Sequence, residues 1–152
     1  MSEQTQPVLR RAEPADSRRL AELDQQCFAI PWSEASFAND LADPERAYYL
    51  VWEDEGVLVG YGGYWRVLGE GEIMNIAVAP NWRRRGLAAG LLPELIRQAE
   101  QEQLSCLTLE VRESNLAARA LYSGFGFVET GMRRNYYADN NENAIIMLKN
   151  IH

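Results

Sequence analysis

The sequence predicts a mixed α/β domain of the α+β type, in which a central mixed sheet carries helices on both faces. Three observations predict this class. The first half of the chain contains β-rich runs separated by glycine-bearing turns. The middle contains one strand–helix–strand unit, which favours a parallel pair of strands. The last quarter contains two short β-rich runs that suit an antiparallel hairpin.

The chain opens with a predicted strand and two predicted helices. Residues 8–12 have strand character, and Pro14 suits the first turn of the helix that follows. After the break at Pro31 and Trp32, Ser33 is a suitable N-cap for a second, shorter helix. The apolar residues of the two helices recur at helical spacing; they are Leu20, Leu23, Cys27, Phe37 and Leu41.

Three strands follow the second helix. Residues 48–52 and 57–67 are β-rich, and Asp54-Glu55-Gly56 between them is a hairpin turn signal. Gly69-Glu70-Gly71 predicts a second turn, which leads to a strand over residues 72–78.

The second half alternates helices and strands before it ends in a hairpin. Residues 87–102 predict a long helix, 107–111 a strand and 115–123 a helix that ends at Gly124. Residues 127–134 and 144–149 predict the closing strands. The predicted order is therefore β-α-α-β-β-β-α-β-α-β-β.

Length and composition favour one folded domain. A chain of 152 residues with 47% hydrophobic residues suits a single compact domain, which we expect over residues 8–152. The polar residues 1–7 predict a disordered lead-in without a secretory signal. No apolar run approaches the roughly 20 residues needed to span a bilayer. We therefore expect a cytoplasmic protein without a membrane partner.

Charge and reactive side chains exclude several functions. The net charge of −7 argues against a nucleic-acid partner, which requires a basic face, and suits a basic partner. The single histidine, His152, is the last residue, which excludes Ser-His-Asp and Cys-His catalysis and leaves no predicted metal site. Cys27 and Cys106 lie among apolar residues and are expected in the core.

A basic loop before the long helix is the most informative segment. Arg83, Arg84 and Arg85 precede Gly86, and Ala88 lies two residues beyond it. The free N–H groups and partial positive charge of a helix N-terminus bind anions when small residues leave them accessible. The alternative is an ordinary loop glycine beside solvated arginines. Neither the Walker loop nor the dinucleotide fingerprint is present.

Arg83-x-x-Gly86-x-Ala88 resembles the Q/R-x-x-G-x-G/A loop of the GNAT acetyltransferases, whose β-α order the chain also shares. Within that superfamily the chain is most similar to the bacterial ribosomal-protein-alanine N-acetyltransferases. The similar segments are Pro31-Trp32-Ser33, Asn75-Ile76-Ala77-Val78, Leu109-Glu110-Val111-Arg112, Ser114-Asn115, Ala120-Leu121-Tyr122, Gly126-Phe127, Arg133-Arg134-Asn135-Tyr136-Tyr137 and Ala144-Ile145-Ile146-Met147.

The resemblance implies acetyl-CoA as cosubstrate. The backbone of Ile76, Ala77 and Val78 would bind the pantetheine arm, and the loop and first helical turn would bind the pyrophosphate. Asn115 would also contact the cofactor, although it equally suits a helix cap. The implied pyrophosphate-binding residues are Arg83, Arg84, Arg85, Gly86, Leu87, Ala88 and Ala89.

The resemblance also implies a general base, Glu110, and a general acid, Tyr122. Acetyl transfer to an amine requires removal of a proton from the ammonium and donation of one to the leaving thiolate. The alternative for Glu110 is an ion pair with Arg112 or another arginine. The alternative for Tyr122 is a core aromatic residue on an amphipathic helix.

The implied acceptor is the N-terminal alanine of a small-subunit ribosomal protein. Trp32 would flank the peptide on one side, and Arg134, Asn135, Tyr136 and Tyr137 on the other. Three alternatives stay open: broader N-terminal acetylation, acetylation of a small amine or lysine side chain, and non-catalytic acyl-CoA binding. The sequence does not determine the oligomeric state.

Overall fold

The computed structural model describes residues 6–151, so most of the predicted lead-in, residues 1–7, lies outside the described part of the chain. The predicted order of elements is confirmed. The strands are β1 (Val8–Arg11), β2 (Ala47–Asp54), β3 (Val57–Val67), β4 (Glu70–Val78), β5 (Cys106–Arg112), β6 (Val128–Arg133) and β7 (Ala144–Asn150). The helices are α1 (Ser17–Cys27), α2 (Glu34–Leu41), α3 (Leu87–Gln101) and α4 (Leu116–Gly124).

The tight turns of the first half depend on left-handed backbone. The β2–β3 turn has Glu55 at φ 48° and Gly56 at φ 82°, the geometry that suits a two-residue hairpin. The turn predicted at Gly69-Glu70-Gly71 ends two residues earlier in the structure than the sequence predicts. The turn is formed by Leu68 and Gly69, both with positive φ, and β4 already begins at Glu70. A non-glycine residue in left-handed conformation is uncommon, so the sequence pattern did not indicate that Leu68 belongs to the turn.

The seven strands form one sheet in the order β1-β2-β3-β4-β5-β7-β6. All neighbouring pairs are antiparallel except β4 and β5. That parallel pair has two aligned positions, Gly71 with Leu107 and Glu72 with Thr108. Beyond them the two strands diverge, and the sheet opens toward their carboxyl ends.

Two cores stabilise the sheet, one on each face. The larger joins α3 and α4 to the sheet through side chains such as Leu92, Leu95, Leu107 and Met147, all fully buried. The smaller joins α1 and α2 to the other face, where Phe37 packs edge-on against Tyr61. Helices therefore lie on both faces, as predicted. Within the described residues, no helix is long and apolar enough to cross a membrane.

Candidate active site

The divergence of β4 from β5 opens a cavity of about 680 Å³. A bulge contributes to the opening, because Gly63 and Tyr64 of β3 pair with Asn75 and Ile73 of β4 and leave Met74 as the extra residue. Lining side chains come from β3, β4, β5, β6, β7, α4 and the loops after α1, β5 and β6. They include Trp32, Trp65, Glu72, Asn75, Ile76, Glu110, Arg112, Asn115, Tyr122, Arg133, Tyr136, Tyr137 and Asp139.

One edge of β4 faces the opening. Ile76, Ala77 and Val78 pair with β3 on one side, whereas β5 has already diverged on the other. Backbone groups on that open side are available to an extended ligand in the way that a sheet edge accepts a strand. The carbonyl of Val78 accepts a hydrogen bond from Arg83 Nε (3.1 Å) and one from Cys27 Sγ (3.5 Å).

The start of α3 fits an anionic group. Gly86 has φ 78°, and a Cβ atom placed on it would meet nothing within 4 Å. The first hydrogen bond of the helix runs from the N–H of Gly90 to the Gly86 carbonyl at 2.9 Å. The N–H groups of the first helical turn lie before it and have no acceptor within the helix. A 15-residue helix supplies a full terminal dipole at this point. The residues present therefore fit the pyrophosphate that the resemblance implies.

The three loop arginines adopt different arrangements. Arg83 donates to the Val78 carbonyl and thereby connects the loop to the end of β4. Arg84 has φ 65°, in the left-handed region. The guanidinium of Arg85 lies 4.7 Å from the centre of the Trp82 ring, a cation–π contact. All three are exposed and leave positive charge beside the α3 N-terminus.

Glu110 lies on β5 with its side chain in the cavity. Its Oε1 atom accepts a hydrogen bond from Arg133 Nε at 2.9 Å. The hydroxyl of Tyr136 also interacts with Glu110, which together with partial burial raises the pKa of Tyr136 to about 12. The alternative of an arginine partner is therefore realised, and that partner is Arg133 on β6.

Tyr122 lies on α4 and reaches the same cavity while its ring packs into the core. The ring is 8% exposed and meets Phe127 edge-on at 5.9 Å. Burial, followed by the nearby Tyr137, raises the pKa of Tyr122 to about 12. No group of residues 6–151 forms a hydrogen bond with its hydroxyl, so this donor is available inside the cavity.

Asn115 caps a helix and also lies at the cavity, so its cap role is confirmed and its contact with the cofactor stays a prediction. Its side-chain oxygen caps α4 by accepting from the Ala118 N–H at 3.2 Å. It also lines the cavity at the edge formed by β5 and α4.

The wall that contains Trp32 is held by a buried carboxylate. Asp24 is fully buried; it accepts the backbone N–H of Trp32 at 2.8 Å and the Tyr61 hydroxyl at 2.6 Å. Burial raises the pKa of Asp24. The Trp32 ring stacks on Trp65 with centroids 5.7 Å apart and planes at 17°. The segment after α1 is thus fixed against β3.

Arg112 holds the opposite wall. It donates to both oxygens of Asp139 at 3.0 Å and to Glu142 at 3.3 Å, and its guanidinium lies 4.0 Å from the centre of the Tyr137 ring. These contacts fix the loop of residues 134–143. Tyr136 and Tyr137 line the cavity, whereas Arg134 and Asn135 are not among its lining residues.

Several cavity residues were not predicted from the sequence. Trp65, Glu72 and Asp139 line the cavity, and Arg112 organises one wall. The alternation of β3 and β4 could have placed Trp65 and Glu72 on one face, since they are direct cross-strand partners. No local signal could have indicated the pairing of Arg112 with Asp139, because it joins residues 27 positions apart.

A split sheet with an open helix N-terminus on one side and a carboxylate and a phenol in the opening defines a class of group-transfer enzyme. It suits a phosphate-bearing donor and an acceptor that meet between the strands. A model of the Acetyltransferase (GNAT) family matches residues 17–127, and the chain belongs to that family. It is therefore an acyltransferase, and the resemblance seen in the sequence is confirmed.

Individual relatives cover nearly the whole chain. The ribosomal protein bS18-alanine N-acetyltransferase of Escherichia coli strain K12 is 39% identical over 137 residues, covering 89% of this chain and 91% of the relative. The crystal structure of the ribosomal-protein-S18-alanine N-acetyltransferase from Escherichia coli has a TM-score of 0.87 and 38% identity, covering 96% and 94% of the two chains. Ard1 from Thermoplasma volcanium has a TM-score of 0.86 and 26% identity, covering 96% and 98%.

The family identifies the acyl donor. Acetyl-CoA is the acyl donor of GNAT acetyltransferases. Within residues 6–151, no group of three or more His, Cys, Asp or Glu side chains is placed to hold a metal ion.

Proposed function

We propose that the protein transfers the acetyl group of acetyl-CoA to the α-amine of an N-terminal alanine on a ribosomal protein. The observation that carries the proposal is that Glu110 and Tyr122 both line the cavity between β4 and β5. The names of the bS18-alanine N-acetyltransferases that resemble the chain support this acceptor. The acting unit is the domain over residues 8–152, and the cytoplasm, where ribosomal proteins are made, is the compartment.

The donor occupies the side of the cavity next to α3. The N–H groups of the first α3 turn, opened by Gly86, bind the pyrophosphate, and the exposed arginines of the loop add charge. The open edge of β4 at residues 76–78 binds the pantetheine arm, and Asn115 lies across the opening from it. Acetyl-CoA supplies the acetyl group as a thioester whose thiolate is the leaving group.

Glu110 is the general base. It accepts a proton from the acceptor ammonium, directly or through water, and the freed amine nitrogen forms a bond to the thioester carbonyl carbon as the carbon–sulfur bond breaks. An α-amine has an ordinary pKa of about 7.7–8.0, so a carboxylate base is sufficient. Arg133 donates to Oε1 of Glu110, and a carboxylate has capacity for further hydrogen bonds on both of its oxygens.

Tyr122 is the general acid. With a pKa of about 12 its phenol stays protonated at neutral pH, and its hydroxyl has no protein partner among the described residues. It donates its proton to the leaving thiolate. Conversion of the ammonium to the amide releases two protons: one passes through Glu110 to solvent, and the other, lost from the nitrogen as the amide forms, is balanced by re-protonation of the phenol that gave its proton to the thiol.

Tandem mass spectrometry of a peptide tests the proposal. A peptide that begins with Ala and carries an internal lysine, incubated with acetyl-CoA, is expected to be acetylated on its α-amine alone. The lysine amine has an ordinary pKa of about 10.4 and is therefore harder to deprotonate. The same peptide with a blocked N-terminus is the control. Acetyl groups mainly on lysine, or transfer only to a small amine, would leave just the family assignment standing.

A further inference from the structure

Glu72 lies in the cavity on the side away from the proposed pyrophosphate site. It occupies the last aligned position of the β4–β5 pair, opposite Thr108, and is the direct cross-strand partner of Trp65 on β3. Paired residues of adjacent strands point to the same face, and so do residues two apart on one strand. Glu72, Thr108 and Glu110 therefore share one face of the sheet.

Among the described charged residues that line the cavity, Glu72 is the one whose carboxylate forms no ion pair. The two lining arginines are engaged elsewhere, Arg112 with Asp139 and Glu142 and Arg133 with Glu110. Arg46 lies over the Trp65 ring, 4.7 Å from its centre. Among residues 6–151, no hydrogen bond or ion pair reaches Glu72, which is exposed. An exposed carboxylate without a partner is able to pair with a cation brought by a substrate.

An aromatic wall adjoins this carboxylate. Trp65 is held in place by its indole N–H, which donates to the buried Asp40 at 2.9 Å, and by its stack on Trp32. Lysine and arginine side chains lie along apolar surfaces with their aliphatic stems and present the charged head at the end. The edges of Trp65 and Trp32 suit such a stem, and Glu72 suits the head.

The separation of Glu72 from Glu110 indicates which acceptor residue would reach it. Two residues along β5 and one strand across place the two backbones about 8 Å apart, with a rise of about 3.3 Å per residue and a strand spacing of about 4.8 Å. An extended peptide whose α-amine lies at Glu110 therefore brings the side chain of its second or third residue near Glu72.

We propose that Glu72 and Trp65 form a subsite that selects a basic side chain at the second or third residue of the acceptor peptide. The proposal rests on the proposed function, since it requires an N-terminal peptide with its α-amine at Glu110. In this proposal Glu72 determines specificity through its charge. The overall charge of −7 further favours a basic acceptor.

The test compares three peptides that begin with Ala and differ at one position. Arginine is placed at the second or at the third residue, and the reference peptide carries glutamine at both. For the natural protein, kcat/KM is expected to be roughly five- to tenfold higher for at least one arginine peptide, as for a partly solvated ion pair. Glu72→Gln should remove this preference and leave kcat/KM for the glutamine peptide within about twofold.

Charge reversal separates recognition from structural damage. Glu72→Lys should disfavour the arginine peptides and favour a matched glutamate peptide. The inference is overturned if the natural protein acetylates all three peptides on the α-amine at equal rates. It is also overturned if Glu72→Gln lowers kcat/KM equally for all of them. Acetylation confined to lysine side chains would instead remove the proposed function, and the subsite with it.

Discussion

At the scale of single residues, Glu110 and Tyr122 occupy different environments in one cavity. Glu110 accepts a hydrogen bond from Arg133 and interacts with the Tyr136 phenol, contacts that fix the orientation of its carboxylate. Tyr122 is surrounded by the core, and burial raises its pKa to about 12. Two groups with such different surroundings suit opposite proton-transfer roles.

Glu110→Gln is expected to lower kcat about 10²–10⁴-fold near pH 7, the usual contribution of a general base. The loss should diminish as the pH rises through about 8, because the α-amine then loses its proton without a base. The measurement is the pH dependence of kcat from about pH 6 to about pH 9. Unchanged activity across this range would exclude Glu110 as the base.

Tyr122→Phe is expected to lower kcat with little change in acetyl-CoA affinity, because the hydroxyl is lost while the ring still packs on Phe127. In the natural protein the raised pKa keeps the phenol protonated, so Tyr122 should cause no decline in kcat until the pH approaches about 12. A decline below pH 10 that disappears in Tyr122→Phe would contradict this assignment.

At the scale of elements, the start of α3 and the loop after β6 form the two ends of the site. The α3 N-terminus depends on Gly86, whose left-handed backbone leaves the first-turn N–H groups exposed. The loop of residues 134–143 depends on Arg112, which donates hydrogen bonds to three of its residues, Asn140, Glu142 and Asp139. In the proposed function one element binds the donor and the other the acceptor, so we expect that each can be impaired separately.

Gly86→Glu should abolish acetyl-CoA binding, because its carboxylate would fill the anion site and repel phosphate. The fold should persist, since the new Cβ meets nothing within 4 Å and the left-handed backbone costs a non-glycine residue only about 1–2 kcal/mol. Gly86→Asn is the matched control, because asparagine tolerates left-handed backbone and carries no charge. Calorimetry should give no detectable binding for the glutamate variant and weakened binding for the asparagine variant. Natural affinity in Gly86→Glu would remove the loop assignment.

Arg112→Gln should raise the peptide KM about tenfold, equivalent to about 1.4 kcal/mol, while the dissociation constant for acetyl-CoA changes little. Without the guanidinium, Asp139 and Glu142 lose their partner and the Tyr137 wall is released. Arg119→Gln is the control, because it breaks a surface ion pair with Glu129. An equal loss of acetyl-CoA affinity would show that Arg112 supports the whole site rather than the acceptor wall.

At the scale of the whole molecule, the sheet consists of two parts that meet at β4 and β5. One part is the antiparallel sheet of β1 to β4, and the other is β5, β7 and β6. The strand pairing between the two parts is limited to two aligned positions, and at one of them Gly71 packs on Leu107. The cavity exists because the strands meet only there.

Gly71→Ala should destabilise the protein by about 1–3 kcal/mol, because overpacking forces displacement of well-packed neighbours. The new Cβ would lie 2.5 Å from Leu107 Cδ2, and Leu107 is fully buried. Gly131→Ala is the control, since its Cβ would lie at an ordinary 3.6 Å from Ile146. Denaturant unfolding measures both variants. Equal stability of the two would mean that the junction adapts freely.

The sequence by itself determined the order of elements and the family, and it predicted the anion-binding character of the loop before α3. These properties are local: hydrophobic periodicity, turn residues and a glycine flanked by arginines are written in short segments. The roles of Glu110, Tyr122 and the other predicted site residues stay predictions.

Only the tertiary structure decided the partners of those residues. The sequence did not indicate which arginine would pair with Glu110, and the structure shows that it is Arg133. The pairings of Arg112 with Asp139 and of Trp32 with Trp65 likewise join segments that are distant in the chain. The same holds for Glu72, which has no ion-pair partner among residues 6–151 because the two arginines that line the cavity, Arg112 and Arg133, pair with other carboxylates. Such contacts depend on strand register and on how far β4 and β5 diverge, and both are set by packing across the whole sheet rather than by any short run of residues.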